Sequence, residues 1–255
     1  MSSEFFGRLG PRGIARTVDG LGGARVHFLI GVRPLIEILP SSWQQYLKSS
    51  LTTDYEDWLR HLLLPSNGDD TSRARFWARG NFAQILRRWS SVMPAENITA
   101  VVLNPQDRNL MGRTVEGLVG LPDGVITRQS ADVVSNRSMT ACEAEFLRQI
   151  NLRLAGSIDS RIYTDSIRNG VVRTIVENRQ PPTDEPRITT PQWALEIALK
   201  RQLKDLRRLR RSGVDLRGSW QRLREPSVGS EPVTVTEVPV DLAALGVAIA
   251  VSWKP

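Results

Sequence analysis

The chain of 255 residues is poor in cysteine and lacks long apolar runs, and both features restrict the classes of protein to which it can belong. A single cysteine, Cys142, excludes an internal disulfide, and no cysteine and histidine cluster has the spacing of zinc ligands. No run of about 18 uncharged apolar residues indicates a membrane span. The polar amino terminus is unlike a signal peptide. We therefore expect a reduced, cytoplasmic protein without a structural metal.

Glycine-rich loops that carry a lysine, the usual cradles for phosphates, are also missing. The nearest segment, Gly20 to Gly23, lacks both the lysine and a following helix. Positive charge, in contrast, is in excess, with 34 basic against 27 acidic residues and a net charge of +7. This excess favours anionic partners such as nucleotides or nucleic acid, although a solvated basic surface is an equal alternative.

Hydrophobic periodicity predicts an α/β fold in the first half of the chain. Apolar runs at Arg25–Val32 and Asn97–Leu103 indicate buried strands. Between them, helical spacing is found at Leu35–Leu47, where Pro40 predicts a kink or a restart, and at Asp54–Leu64 and Arg75–Met93. Alternation of strands and helices implies a parallel sheet flanked by helices.

The second half of the chain is predicted to be helical. Thr140 and Glu143 form the pattern of a capping box, and a long helix starts at Thr190-Pro191. We expect one domain over residues 1–224. Residues 225–255 form a carboxyl-terminal tail whose alternation at Val233 and Val235 allows an added edge strand.

One pattern suggests a phosphate site. The apolar run from Val26 to Val32 ends in Arg33-Pro34, and Ser41 follows the arginine after eight residues. Ligands of open α/β sheets bind at the carboxyl ends of strands, and arginine binds phosphate with two parallel hydrogen bonds. Arg33 is thus a candidate phosphate ligand, and the case for Ser41 depends on it. A surface arginine paired with Glu37 is the alternative.

The block from Val26 to Lys48 resembles the 3'-phosphate-binding segment of sulfotransferases that use 3'-phosphoadenosine 5'-phosphosulfate, particularly a bacterial group. Phe76-Trp77, Asn136–Met139 and Trp193–Leu223 resemble later parts of that family. The resemblance implies a fold related to the P-loop kinases, with Arg33 and Ser41 on the 3'-phosphate of the cofactor. It also implies transfer of a sulfuryl group to a hydroxyl or amine acceptor.

The chain departs from that family at its start. The family begins with a strand and a lysine-containing loop that binds the phosphosulfate, and we expect both to be missing here, which would leave the protein impaired or inactive. Glu4 stands where the family often has a glutamate near the acceptor, and a solvated glutamate is the alternative. The edge of the Arg33 strand is then expected to be exposed, to be covered by Val233–Val251, or to form a homodimer.

Three hypotheses therefore stay open. The protein is a complete sulfotransferase with a misplaced start, a truncated or regulatory homologue, or a basic nucleic-acid-binding protein. The last would use a cluster of basic residues on the Lys200–Arg211 helix, which is otherwise a solvated face. Its members are Lys200, Arg201, Lys204, Arg207, Arg208, Arg210 and Arg211. His27, inside the apolar run, is predicted to be a hydrogen-bonded core residue and Cys142 a buried one.

Overall fold

The computed structural model describes residues 4–22, 25–65, 71–129, 137–225, 229–231 and 233–252. The chain divides into two compact units, each assembled from three segments. The first unit comprises Met1–Leu35, Pro65–Val133 and Glu196–Ser227, and the second comprises Ile36–Leu64, Val134–Leu195 and Val228–Pro255. The sequence-based boundary between residues 1–224 and 225–255 stays a prediction.

The first unit contains a three-stranded parallel sheet, which confirms the α/β class and the parallel arrangement. Its strands are Phe28–Val32 (β1), Ile98–Val102 (β2) and Asp215–Arg217 (β3), in the order β1-β2-β3. Every residue of the central strand β2 is buried, as its continuous apolar sequence predicts. The sequence analysis did not predict the third strand, β3.

Helices make up most of the remaining structure. Those of the α type are, in chain order, Pro11–Asp19 (α1), Leu35–Leu47 (α2), Tyr55–Leu63 (α3), Thr71–Gly80 (α4), Phe82–Ser90 (α5), Leu110–Val119 (α6), Val125–Gln129 (α7), Ala141–Leu154 (α8), Ser160–Ile162 (α9), Arg173–Asn178 (α10), Gln192–Arg210 (α11) and Val240–Ser252 (α12). A π-helical stretch, Tyr163–Val172, joins α9 to α10, and short 3₁₀ helices cover Glu4–Arg8, Ala95–Asn97 and Trp220–Leu223. None of the described helices is long and apolar enough to cross a bilayer.

The prediction of one helix over Arg75–Met93 is wrong, because the chain breaks at Asn81. The Asn81 side chain caps α5 by accepting a hydrogen bond from the Gln84 amide at 2.9 Å. Its amide group donates to Asp205 at 2.7 Å. An asparagine that serves the start of one helix competes with continuation of the helix before it.

Two further expectations can be compared with the structure. Of the kink or restart predicted at Pro40, the restart is absent, because α2 continues through this residue, and the kink stays a prediction. Residues 233–239 form no strand, so the added edge strand is absent from the described part of the tail. Val235 and Val238 instead pack against the core of the second unit, which includes Cys142, Ile175 and Leu242. Apolar side chains of the tail therefore pack within the second unit.

The core of the first unit positions β1. Phe28 stacks on Trp89 of α5, with ring centroids 3.8 Å apart, and Ile30 packs against the same cluster. On the other face of the strand, a Cβ atom at Gly31 would lie 3.0 Å from the Met111 side chain of α6. Helices α5 and α6 therefore lie against opposite faces of β1.

Candidate functional site

The carboxyl ends of the three strands form one edge of the sheet in the first unit, and Arg33 lies on it. Val32, the last residue of β1, is paired with Val102, and its carbonyl accepts a hydrogen bond from the Leu103 amide at 2.8 Å. Continuing this register by one residue places Arg33 beside Leu103, about 4.8 Å away in backbone terms. Arg33 is exposed at this position. The predicted phosphate ligand thus stands at the strand end where ligands of parallel sheets bind.

A second arginine, which sequence reasoning missed, reaches the same edge. Arg222 belongs to the 3₁₀ helix Trp220–Leu223, and its guanidinium donates a hydrogen bond to the Leu103 carbonyl. Gly218 makes this return possible: its φ is +83°, and a Cβ atom there would lie 2.7 Å from the Val102 carbonyl oxygen. Only glycine tolerates both conditions. The chain after β3 therefore turns back across the end of β2 and sets Arg222 next to the position of Arg33.

The first backbone amide of α2 already has a partner within the protein. The Leu35 amide, which opens the helix, donates to the side-chain oxygen of Gln202 at 2.5 Å. The amide nitrogen of Gln202 donates in turn to the Leu223 carbonyl at 2.7 Å, and Gln202 is buried. This glutamine therefore satisfies one of the helical amides that a bound anion could otherwise use.

Ser41, the other predicted ligand, lies inside α2 and in the second unit. Its hydroxyl donates to the carbonyls of Glu37 and Ile38 in the preceding turn, at 3.1 and 3.0 Å. This is the ordinary behaviour of a serine within a helix. Arg33 and Ser41 belong to different compact units, so their convergence on one phosphate stays a prediction.

The remaining candidates have mixed outcomes. Glu4 lies in the first 3₁₀ helix, and its side chain falls outside the described residues, as does Asn136 altogether. His27 hydrogen-bonds the Thr99 hydroxyl through Nε2 at 2.9 Å, and burial lowers the pKa of His27 against the opposing effect of Asp215. The hydrogen bond agrees with the sequence prediction, whereas the position differs, because His27 is half-buried and not a core residue. Cys142 is buried, also as predicted.

The basic cluster on α11 is partly engaged with its own unit. Arg201 stacks on Trp77, with its guanidinium carbon 3.4 Å from the ring centroid, and Arg208 pairs with Asp205 at 3.3 Å. Four other members are exposed at intervals of four, three and four residues, three of them on one face of α11 and the last in the turn directly after it: Lys200, Lys204, Arg207 and Arg211. The helix therefore presents a basic stripe, which we define by these four residues.

The second unit contains a network of charged residues, built around the buried Arg179, Glu143 and Glu185, that sequence reasoning missed. The Arg179 guanidinium reaches Glu143, Glu185 and Asp241 at 2.9, 2.6 and 2.8 Å. Arg137 adds two hydrogen bonds to Glu143, and the predicted capping box of Thr140 and Glu143 is present. Burial alone would raise the pKa of Glu143, but these donors outweigh it and lower that pKa. The charges of the network are paired with one another, so its role is to stabilise the fold of the second unit.

The same unit encloses a cavity of about 250 Å³ beside Trp43, Tyr55 and Arg148. Several of its polar side chains have protein partners. The Trp43 indole donates to the Thr53 carbonyl, and the Tyr55 hydroxyl is bonded to Thr190. Arg148 holds Glu145 through two hydrogen bonds of 2.7 and 2.8 Å. These side chains are therefore held in place by neighbours of the same unit.

Comparison of the chain with protein-family models, with curated proteins and with solved structures found no match to any of them. The interpretation of the site therefore depends on its own geometry and on the resemblance of the block from Val26 to Lys48.

Proposed function

We propose that the protein binds the 3'-phosphate of an adenosine 3',5'-bisphosphate nucleotide at the carboxyl edge of its sheet. The observation that carries this proposal is the approach of two arginines to one strand end. Arg33 follows β1 directly, and Arg222 contacts Leu103, the residue that follows β2 directly. A phosphate dianion offers enough oxygens for two guanidinium groups. The apolar sheet beneath them limits solvent screening on one side.

The donor set fits the nucleotide end of 3'-phosphoadenosine 5'-phosphosulfate, the cofactor implied by the resemblance. That cofactor, when bound, supplies the sulfuryl group for transfer to a hydroxyl or amine acceptor. In this proposal Arg33 anchors the ribose phosphate, Arg222 adds a second positive charge, and Ser41 joins them only if its hydroxyl turns from its own helix. Glu4 is the proposed acceptor-side base.

Sulfuryl transfer needs a further group besides these residues. In the family, a lysine-containing loop neutralises the negative charge that develops on the leaving phosphate. No lysine of the printed residues stands in a lysine-[Thr/Ser]-glycine loop. The role proposed for these residues is therefore that of a sulfotransferase-like nucleotide-binding site.

Calorimetric titration with adenosine 3',5'-bisphosphate tests the proposal directly. Arg33→Ala should weaken binding about tenfold or more, because a hydrogen-bonded charge contributes about 1.5–3 kcal/mol. Adenosine 5'-monophosphate, which lacks the 3'-phosphate, should bind wild type and variant alike. Arg173→Ala, which removes an exposed arginine of the second unit, is the matched control. Equal affinity of wild type and Arg33→Ala for the bisphosphate would contradict the proposal.

A second candidate function, nucleic-acid binding, is favoured by the basic stripe of α11. Its four residues are exposed, with Lys200, Lys204 and Arg207 on one face of α11 and Arg211 in the turn directly after the helix. A regular row of cations can follow a phosphate backbone without reading bases. This candidate uses a different surface from the arginine edge.

A further inference from the structure

We propose that a groove along the outer edge of β1 binds an extended peptide strand of another protein, apolar at alternate positions and carrying a carboxylate near one end. The inference is independent of nucleotide binding, because it concerns the side of the strand rather than its carboxyl end. The groove has a volume of about 830 Å³ and lies wholly within the first unit. That volume lies within the range of ligand-binding sites.

The floor of the groove is the edge of the strand itself. Six consecutive residues, Val26 to Gly31, line it. Successive residues of a strand point to opposite faces, so a groove that touches all six must run along the edge. Trp89 of α5 lines one wall and Met111 of α6 the other. Since these helices lie against opposite faces of β1, the groove is a slot between two helical layers with a strand at its base.

The backbone of β1 presents hydrogen-bonding groups to this slot. The Val32 carbonyl accepts from Leu103, so Val32 and the residues two and four positions before it turn their polar backbone groups towards β2. Leu29 and Gly31 therefore turn theirs outwards. Among the described strands, β1 is paired with β2 alone. Gly31 has no side chain to hinder an approaching backbone, and it is exposed.

An added strand would find apolar surface on both sides. Phe28, Leu29 and Ile30 are only half-buried, although residues of this kind are fully buried in strand β2. A peptide with apolar side chains at alternate positions would cover them, one set towards each wall. Strand addition of this kind obtains affinity from main-chain hydrogen bonds and selectivity from side-chain pockets.

Charge selects the occupant. Arg25, exposed at the amino-terminal end of the groove, and Arg79 are the charged residues of the described lining, and no described lining residue is acidic. A carboxylate on the peptide complements Arg25. A second copy of the chain does not fit this groove, because the segment that contains β1 carries Arg25 at its start and Arg33 at its end. Antiparallel pairing of two copies would bring these like charges together, in a chain of net charge +7.

A fluorescein-labelled peptide of alternating valine and threonine with glutamate at both ends is the probe, and its binding is followed by fluorescence anisotropy. Wild type should bind it. N-methylation of one alternate set of peptide amides should abolish binding, whereas methylation of the other set should leave it unchanged, because only one set faces β1. Arg25→Glu should weaken binding about two- to fivefold, as expected for an exposed charge pair. The Arg25→Glu variant should instead bind more tightly to a peptide that carries lysine in place of glutamate at both ends. Arg161→Glu, at an exposed position of the second unit, should have no effect.

Hydrogen exchange locates the contact. Peptide binding should slow exchange at the amides of Leu29 and Gly31 and leave Phe28 and Ile30 unchanged, since β2 already protects the latter. Absence of binding, binding that protects no β1 amide, or equal binding of both N-methylated peptides would overturn the proposal. A dimer of the chain in sedimentation velocity would also overturn the proposal, provided that its β1 amides are protected and that the peptide does not dissociate it.

Discussion

Arg179 shows how a single residue organises the second unit through charge. Its side chain is 3% exposed, and its three carboxylate partners come from the first turn of α8, from the loop before α11 and from α12. Taking a guanidinium out of water costs several kcal/mol unless its donors are satisfied. Here each nitrogen has an acceptor, and Arg137 supports Glu143 from another direction. The residue therefore links segments that are far apart in the chain.

Replacement of this arginine should be costly. Arg179→Met leaves Glu143 and Glu185 buried without their main partner, and we expect the free energy of unfolding to fall by about 3–5 kcal/mol. Urea denaturation at neutral pH measures the change. Arg173→Met, which breaks an exposed pair with Glu177 at the other end of α10, should change it by less than about 0.5 kcal/mol. Similar losses in the two variants would show that the network contributes nothing particular.

The same network predicts a dependence on pH. Hydrogen bonds from Arg179 lower the pKa of Glu185, and the pKa of Glu143 is lowered as well. A carboxylate whose pKa is lower in the folded state stabilises it fully above the ordinary value of 4.5, and this contribution is lost as the pH falls through the lowered pKa. The difference between wild type and Arg179→Met should therefore shrink in acid. A constant difference down to low pH would argue against charge as its origin.

At the scale of secondary-structure elements, the junction between α4 and α5 depends on Asn81. This residue is buried, caps α5 and donates to Asp205, which α11 contributes. Burial raises the pKa of Asp205, and the hydrogen bond from Asn81 opposes that effect. One side chain thus ends one helix, begins the next and ties both to a third.

Asn81→Ala should destabilise the first unit by about 2–4 kcal/mol, the sum of a lost cap and a buried acceptor left with fewer partners. Asn109, at the amino terminus of α6, makes no side-chain capping bond and is exposed, so Asn109→Ala should be nearly neutral. Thermal unfolding followed by circular dichroism compares the two. Equal melting temperatures for both variants would refute this role of Asn81.

Signals that depend on local sequence predicted most elements correctly. The apolar runs of β1 and β2, the capping box at Thr140 and the start of α11 each need only a few neighbouring residues. Strand β3 was not predicted because three residues are too few for a periodic pattern. The break at Asn81 was not predicted because the apolar spacing continues through it, and the residue to which Asn81 donates is 124 positions away.

The candidate site divides in the same way. Arg33 could be predicted because the end of an apolar strand is visible in the sequence. Arg222 could not, since its approach to Leu103 requires the turn at Gly218 and a separation of 119 positions. Ser41 was predicted from its spacing after Arg33 and from the resemblance, and neither carries information about which acceptor its hydroxyl would choose.

Across the protein as a whole, the basic residues differ in whether they have acidic partners. Arginines of the second unit such as Arg137, Arg148 and Arg179 are held by carboxylates within that unit. The basic stripe of α11, in contrast, presents its four cations to solvent. Net charge alone therefore says little about partners, and the arrangement of the exposed cations decides which anion can bind.

If the stripe binds duplex DNA, each of its four cations can release about one condensed counterion. The logarithm of the binding constant should then fall with the logarithm of salt concentration with a slope of about −3.6, at about −0.9 per contact. A variant with glutamine at Lys200, Lys204, Arg207 and Arg211 should lose most of this slope. A second variant with glutamine at four exposed arginines of the other unit has the same net charge and should keep it; these are Arg153, Arg161, Arg168 and Arg173. Equal slopes for the two variants would mean that net charge, and not the stripe, attracts DNA. A gel shift that is absent or insensitive to salt would remove nucleic-acid binding altogether and leave the arginines of the sheet edge as the anion site to pursue.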